Sequence, residues 1–306
     1  MHRNLYQGKV GVLTVAPEKG LDVHDAEEAV DVPDPSPILR SRMTTSHDPS
    51  QPTGPATLHF QENGPPDAPV LVLGPSLGTD LGLFDAQVPA LAEHHRVIRY
   101  DLRGHGGSPV VDGPYTVADL ADDVRNLLDE LGIDRFAYAG VSLGGAVGLQ
   151  LAVTLRERVN RLIVMASAAR FPDPPSWKQR AERVRAEGTG FLVPSRIGAW
   201  VTPEFAETHP DETARLLQML RSTSREGYAA CCETLEPFDL SDRLGEITAP
   251  TLVIAGADDP ATPPDTVRTI ADGIPDARFV VVPQASHLVS AEQPEAVTAE
   301  IRRFLA

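Results

Sequence analysis

Seven short runs rich in Val, Ile and Leu recur between residues 56 and 283, and polar or amphipathic stretches separate them. The runs are ATLHF, PVLVLG, RVIRY, RFAYAG, RLIVMAS, PTLVIAG and RFVVVP. Several are apolar at every position, which suits strands covered on both faces. The intervening TVADLADDVRNLLDELG offers Thr116 as an N-cap and Gly132 as the helix stop. PEAVTAEIRRFLA places Pro294 at a helix start. Strand and helix in alternation predict an α/β chain with a mostly parallel, doubly wound sheet. With 306 residues, 42% of them hydrophobic, the chain can fill a sizeable core.

Two stretches break the alternation. Residues 170–240 are helical in pattern and rich in Arg, Trp and Pro, and read as a helical cap inserted between core segments 54–169 and 241–306. Residues 1–53 have no sustained period. They carry an acidic run from Glu18 to Asp34, then Pro33, Pro35 and Pro37, then a polar segment, and read as a disordered tail and linker.

Several function classes drop out on composition. No apolar run approaches the roughly 18 residues of a membrane span, and the N-terminus lacks the pattern of a secretory signal. Cys231 and Cys232 are adjacent, with no other cysteine to pair with. A disulfide framework is excluded, so a reducing cytoplasm is the expected location. A net charge of -16 argues against nucleic acid and anionic membranes as partners. An anionic small molecule would need local cations to offset that field.

The strongest chemical signal is Gly140-Val141-Ser142-Leu143-Gly144, between the apolar run FAYAG and a helical stretch. A G-x-S-x-G at a strand-to-helix turn pushes a serine hydroxyl out at the sheet edge. Gly140 and Gly144 lack the Cβ that would block so sharp a turn. Ser142 is the candidate nucleophile, and the Leu143 N–H, at the helix N-terminus, is a candidate oxyanion donor.

A serine needs a histidine in reach and a carboxylate behind it. In chains with this elbow the order is Ser, acid, His. PTLVIAGADDPATPP sets Asp258 and Asp259 just past one strand, and RFVVVPQASHLVSAEQPE sets His287 past the next. Loops at these strand ends line the ligand crevice of such sheets. Asp259 is the first choice for the acid, with Asp258 the alternative. Pro75-Ser76-Leu77 follows PVLVLG, and Leu77 is the candidate for a second backbone oxyanion donor. The loop Asp101-Leu102-Arg103-Gly104-His105-Gly106-Gly107-Ser108 reads as structural, with Asp101 and Arg103 bracing the turn. Cys231 and Cys232 read as small apolar packing. No ligand spacing suggests a metal site, and no motif implies a cofactor.

Residues 56–306 resemble the 3-oxoadipate enol-lactonases, α/β-hydrolases of the β-ketoadipate route of aromatic catabolism. PSLGTDLGLFDAQ is similar to that family's oxyanion loop, and YAGVSLGGAVGLQLA to its nucleophile elbow. The cap segments AARFPDPPSWKQR, GAWVTPEFAETHP and TSREGYAACCETL are similar too, and caps vary widely among such hydrolases. Phe84 stands where a Trp is usual, and the N-terminal 53 residues have no counterpart. Within them NLYQGKVGVLTVAPEKGL is similar to the C-terminal tail of crotonyl-CoA reductase-type enzymes, but without a cofactor motif it carries no function.

The resemblance implies a cofactor-free serine hydrolase acting on a small enol-lactone with a free carboxylate chain. Such a group calls for an arginine in the pocket. The cap offers Arg170, Arg180, Arg183, Arg185 and Arg196, and Arg170 and Arg180 flank Trp177 in the family-like segment. Those two are the chosen carboxylate ligands, with Trp177 as a pocket wall. Trp200 is read as packing. A general esterase, another lactonase, a C–C bond hydrolase or a perhydrolase would share the same triad. A non-catalytic ligand receptor is the rival from another class, and the intact Ser, Asp, His order argues against it. Haloalkane dehalogenases and epoxide hydrolases place Asp where this chain has Ser142.

Overall fold

In the computed structural model, which describes residue 54 and residues 56–306, the apolar runs form one seven-stranded sheet. The strands are β1 (Phe60–Asn63), β2 (Val70–Gly74), β3 (Arg96–Tyr100), β4 (Phe136–Val141), β5 (Val159–Met165), β6 (Thr251–Gly256) and β7 (Arg278–Val282). Their order is β1-β3-β2-β4-β5-β6-β7; β1 is antiparallel to β3 and every other pairing is parallel. The 1–53 tail, including the reductase-like segment, lies outside the described residues.

The helices are α1 (Val88–Leu91), α2 (Val117–Glu130), α3 (Leu143–Thr154), α4 (Pro174–Glu187), α5 (Pro203–Thr208), α6 (Pro210–Ser222), α7 (Arg225–Leu235), α8 (Pro264–Gly273), α9 (Val289–Glu292) and α10 (Pro294–Leu305). Helices α4 to α7 fall between β5 and β6. Thr116 caps α2 through a full capping box with Asp119, and Gly132 follows its end at φ 67°. No helix among the described residues is long and apolar enough to cross a membrane.

Strands β4 and β6 are buried along their whole length, as their unbroken apolar runs require. From β2 the chain steps to β3 on one side and then to β4 on the other. That reversal opens a crevice at the C-terminal ends of β2 and β4. The loop carrying Leu77 and the turn carrying Ser142 emerge there.

One strand begins later than its sequence suggests. ATLHF is expected to be a strand, yet the β1 ladder starts only at Phe60. The Ala56 N–H donates to Asp123 (2.7 Å) and the His59 N–H to Ser108 (2.9 Å), so residues 56–59 are tied to α2 and to the 101–108 loop. That loop is braced as its sequence implies. Asp101 accepts from the N–H groups of Leu81 (2.7 Å) and Gly107 (2.8 Å). Arg103, 2% exposed, forks onto buried Asp123 and lies 4.6 Å over the Tyr115 ring. Replacing Asp123 by Ala strands that guanidinium, and destabilisation of about 3–5 kcal/mol is expected in chemical denaturation.

The cap is tied both within itself and to the core. Arg185 on α4 reaches both Glu226 and Glu233 on α7. Gly227 of α7 meets Gly104, which has φ 72°; a Cβ on Gly104 would lie 2.3 Å from the Gly227 Cα, so the two backbones touch.

Candidate active site

Ser142 sits between the last residue of β4 and the first of α3 with φ 56° and ψ -116°, a strained conformation for a non-glycine residue. The turn closes only because its glycines are bare. A Cβ on Gly140 would lie 2.3 Å from the Gly144 carbonyl oxygen, and one on Gly144 would lie 2.2 Å from that of Gly74. Backbone ties hold the strain. The Ser142 N–H donates to Met165 O (2.9 Å), and Ser142 O accepts from the Ser167 hydroxyl (2.7 Å). Below, the Tyr138 hydroxyl donates to Gly144 O (2.9 Å) and accepts from that of Tyr100 (2.8 Å).

His287 follows β7 and Asp259 follows β6. Their side chains meet at 2.8 Å, Nδ1 to Oδ2. Asp259 also accepts from the Thr262 hydroxyl (2.7 Å) and the N–H groups of Ala261 (2.8 Å) and Thr262 (3.1 Å). Burial works to raise the Asp259 pKa, but His287 and these donors together bring it below the ordinary carboxylate value. Asp258 is exposed, so only Asp259 faces the imidazole. With Nδ1 occupied by the carboxylate, the Nε2 edge of His287 is left for the cavity that it shares with Ser142.

The sign for stability follows from the lowered pKa. The contribution of the ionised Asp259 is complete above the ordinary value of 3.8 and is lost as pH falls through the lowered one. Acid unfolding of the parent protein against Asp259→Asn checks this, because the variant should lack that part of the acid limb. At neutral pH the same variant should lose roughly 10³- to 10⁴-fold in turnover, since Asn no longer fixes the imidazole tautomer.

The His287 loop is welded to the cap. Buried Glu292 accepts from the Ser286 N–H (2.7 Å) and from both the N–H (2.8 Å) and hydroxyl of Thr202. The Leu288 N–H donates to Trp200 O (2.8 Å), and the Ser286 hydroxyl to Ala199 O (2.8 Å). No motif in the sequence singles out Glu292, Ser167 or Tyr138, because each acts through a contact made only in the fold.

A cavity of about 270 Å³ holds Ser142, His287 and Leu77 at one end, and Trp177, Arg180, Arg196, Trp200 and Tyr228 line it from the cap. Leu143 is the first residue of α3, so its N–H has no partner one turn back in that helix. Arg180 lies 4.4 Å over the Trp177 ring, and Arg196 lies 5.8 Å over that of Trp200. Among the described residues neither guanidinium has a carboxylate partner within 4.0 Å. Burial lowers the Arg196 pKa, and among the described residues its Nε has no hydrogen-bond acceptor.

Arg170, expected as a carboxylate ligand, does not line the cavity. Its backbone bridges to Asp239, and its side chain, 65% exposed, turns to solvent 3.8 Å from the Asp239 carboxylate. Arg196 occupies the cavity where Arg170 was expected, and Trp200 lines the cavity as well as packing. Arg183 and Arg185 are engaged by Glu187 and by Glu226 with Glu233. Phe84 is buried in the core, as are Cys231 and Cys232. Burial pushes the Cys231 thiol up to about 12. A wider groove of about 560 Å³ lies over His59, Asp80 and Arg215; His59 is hydrogen-bonded to Asp101, Arg215 is paired with Glu212, and Asp80 accepts from the Gly82 N–H (2.9 Å).

A serine on a strained strand-to-helix elbow, a His–Asp pair sharing its cavity and a mostly parallel sheet under a helical insertion define a class. The chain belongs to the α/β-hydrolase fold family, whose model matches residues 69–294. Within that family it falls with the 3-oxoadipate enol-lactonases. It is 38% identical to 3-oxoadipate enol-lactonase 2 of Acinetobacter baylyi over 81% of this chain and 94% of that protein. The crystal structure of the enol-lactonase from Burkholderia xenovorans LB400 is 38% identical and superposes with a TM-score of 0.80, covering 82% of this chain and 96% of the other. RutD of Variovorax paradoxus, named for carbamate hydrolysis, is 34% identical over 81% of this chain and 96% of its own.

Proposed function

We propose that the protein hydrolyses 3-oxoadipate enol-lactone, a small carboxylated enol-lactone, to 3-oxoadipate in cytoplasmic aromatic catabolism. The observation that carries the reading is the pair Arg180 and Arg196. Among the described residues these two guanidiniums have no carboxylate partner, and they line the cavity that holds Ser142, in a chain of net charge -16. Holding unneutralised cations in a confined cavity is costly unless an anion is meant to enter.

In this reading His287 takes the Ser142 proton as Oγ attacks the lactone carbonyl carbon. The N–H groups of Leu77 and Leu143 receive the oxyanion, each worth a few kcal/mol. The tetrahedral intermediate collapses by breaking the ring C–O bond. The departing enol oxygen takes the proton from His287, and an enol is a better leaving group than an alkoxide. Water, deprotonated by His287, then attacks the acyl carbon, and Ser142 leaves with its proton restored. The freed enol tautomerises to the ketone. Asp259 stays ionised throughout and holds the imidazole in place. The carboxylate of the substrate chain pairs with Arg180 and Arg196, against Trp177.

The likeness to RutD favours a second reading, hydrolysis of a small carbamate at the same triad. A steady-state screen of the purified protein separates the readings. The enol-lactone, neutral p-nitrophenyl esters and simple carbamates would be compared by kcat/KM. Preference for the enol-lactone is expected; preference for neutral esters or carbamates would overturn the lactonase reading and leave a serine hydrolase.

A further inference from the structure

We infer that His105 is a positioning residue for the oxyanion loop, holding the Gly78 N–H and so fixing the backbone on either side of Leu77. The inference rests on the reading of Leu77 as an oxyanion donor.

His105 lies in the loop after β3 and is 1% exposed. The Gly78 N–H donates to its Nε2 at 3.0 Å, and its Nδ1 lies 3.1 Å from Arg103 O. A backbone N–H can only donate and a carbonyl oxygen can only accept. Nε2 is therefore bare, and Nδ1 carries the proton. The two partners select one neutral tautomer and leave no role for the imidazolium. Burial agrees, lowering the pKa to about 4 against the pull of Arg103 O and the Asp101 carboxylate.

The consequence lies in the peptide planes around Leu77. Each peptide unit is planar, so its C=O and N–H point in opposite directions. The unit joining Ser76 and Leu77 is held at its oxygen, which accepts from the Thr79 N–H (3.1 Å) and hydroxyl (2.8 Å). That sets where the Leu77 N–H points. The unit joining Leu77 and Gly78 is held at its N–H by His105. Both planes flanking the donor are thus tied, one locally and one from another loop.

His105 is itself rigid. Its N–H donates to Leu102 O (2.9 Å) and its carbonyl accepts from the Ser108 N–H (2.9 Å). Gly78, at φ 81°, is packed beneath the cap; a Cβ there would sit 2.9 Å from both Leu220 and Tyr228. Losing the imidazole acceptor leaves a buried N–H unpaired and frees the Leu77–Gly78 unit to rotate.

The test uses the full chain with p-nitrophenyl acetate, so that an error in the lactone assignment does not affect it. His105→Leu is expected to lower kcat roughly 10- to 100-fold with KM within about twofold, because misaimed oxyanion donors act on the transition state alone. Affinity for a phenylboronic acid, which forms a tetrahedral adduct with the serine, should fall in parallel. His105→Gln places Oε1 where Nε2 stood and should restore kcat to within roughly fivefold of the parent. Nitrogen NMR of the unmodified protein should find Nδ1 protonated and Nε2 bare at neutral pH, a readout that does not depend on any variant folding. An unchanged kcat in His105→Leu, an equal loss in both variants, or an Nε2-protonated ring would each overturn the inference. Failure of the serine reading itself would show separately, as normal rates in Ser142→Ala.

Discussion

Replacing Ser142 by alanine will lower turnover by about five orders of magnitude or more while leaving the fold intact. At about 1.4 kcal/mol per decade, that is a loss of about 7 kcal/mol of transition-state stabilisation. The fold should survive because what holds the elbow is backbone. The Ser142 N–H and carbonyl bonds to Met165, Ala146 and Ser167 involve no Ser142 side-chain atom. Alanine takes φ 56° at about the same strain as serine. Thermal unfolding within a few degrees of the parent, combined with collapse of kcat, is the expected pair of results. A variant that turns over at near-normal rates would show that the hydroxyl is not the nucleophile.

The second large effect is selective. Arg196→Met should lower kcat/KM for the enol-lactone by roughly 10- to 100-fold, and Arg180→Met by a similar factor. A hydrogen bond to a charged group contributes about 1.5–3 kcal/mol, and the guanidinium can make two to one carboxylate. Neutral p-nitrophenyl esters should be hydrolysed by both variants at close to the parent rate, because no anion then needs holding. Methionine keeps length and apolar contact with Trp200 or Trp177, so the change is mainly one of charge. Arg170→Met is the control. Its side chain lies outside the cavity and beside Asp239, so both substrates should behave as with the parent. Equal losses on charged and neutral substrates would mean that the arginines build the cap rather than bind the substrate.

The contrast between Arg170 and Arg196 marks where sequence reasoning stops. The elbow, the Asp259 loop and the His287 loop could be read directly because each is a local feature. A glycine-flanked serine after an apolar strand, or an acid just past a strand end, is dictated by a few consecutive residues. The side of a cap helix that faces the cavity is set by tertiary packing. Arg170 flanks the same tryptophan as Arg180 in the sequence, yet a backbone bridge to Asp239 turns it away. Arg196 lies sixteen residues beyond Arg180, at the end of a separate 3-10 helix (Thr189–Arg196), yet it shares the cavity.

The supports around the site were hidden for a related reason. Glu292 looks in the sequence like one more acidic residue at a helix end. Only the fold brings Thr202 and the His287 loop together around its carboxylate. β1 starts later than ATLHF suggests because residues 56–59 are captured by Asp123 and Ser108, contacts of high sequence separation that no local pattern encodes.

The central claim is that one hydroxyl, at Ser142, is activated by the imidazole of His287. Its most direct test is labelling of the purified chain with a fluorophosphonate, followed by mass spectrometry of the intact protein and of its peptides. The account predicts one adduct per chain, on the peptide containing Ser142, absent in Ser142→Ala and formed far more slowly in His287→Ala. Adducts on another residue, or labelling at the parent rate without His287, would contradict it.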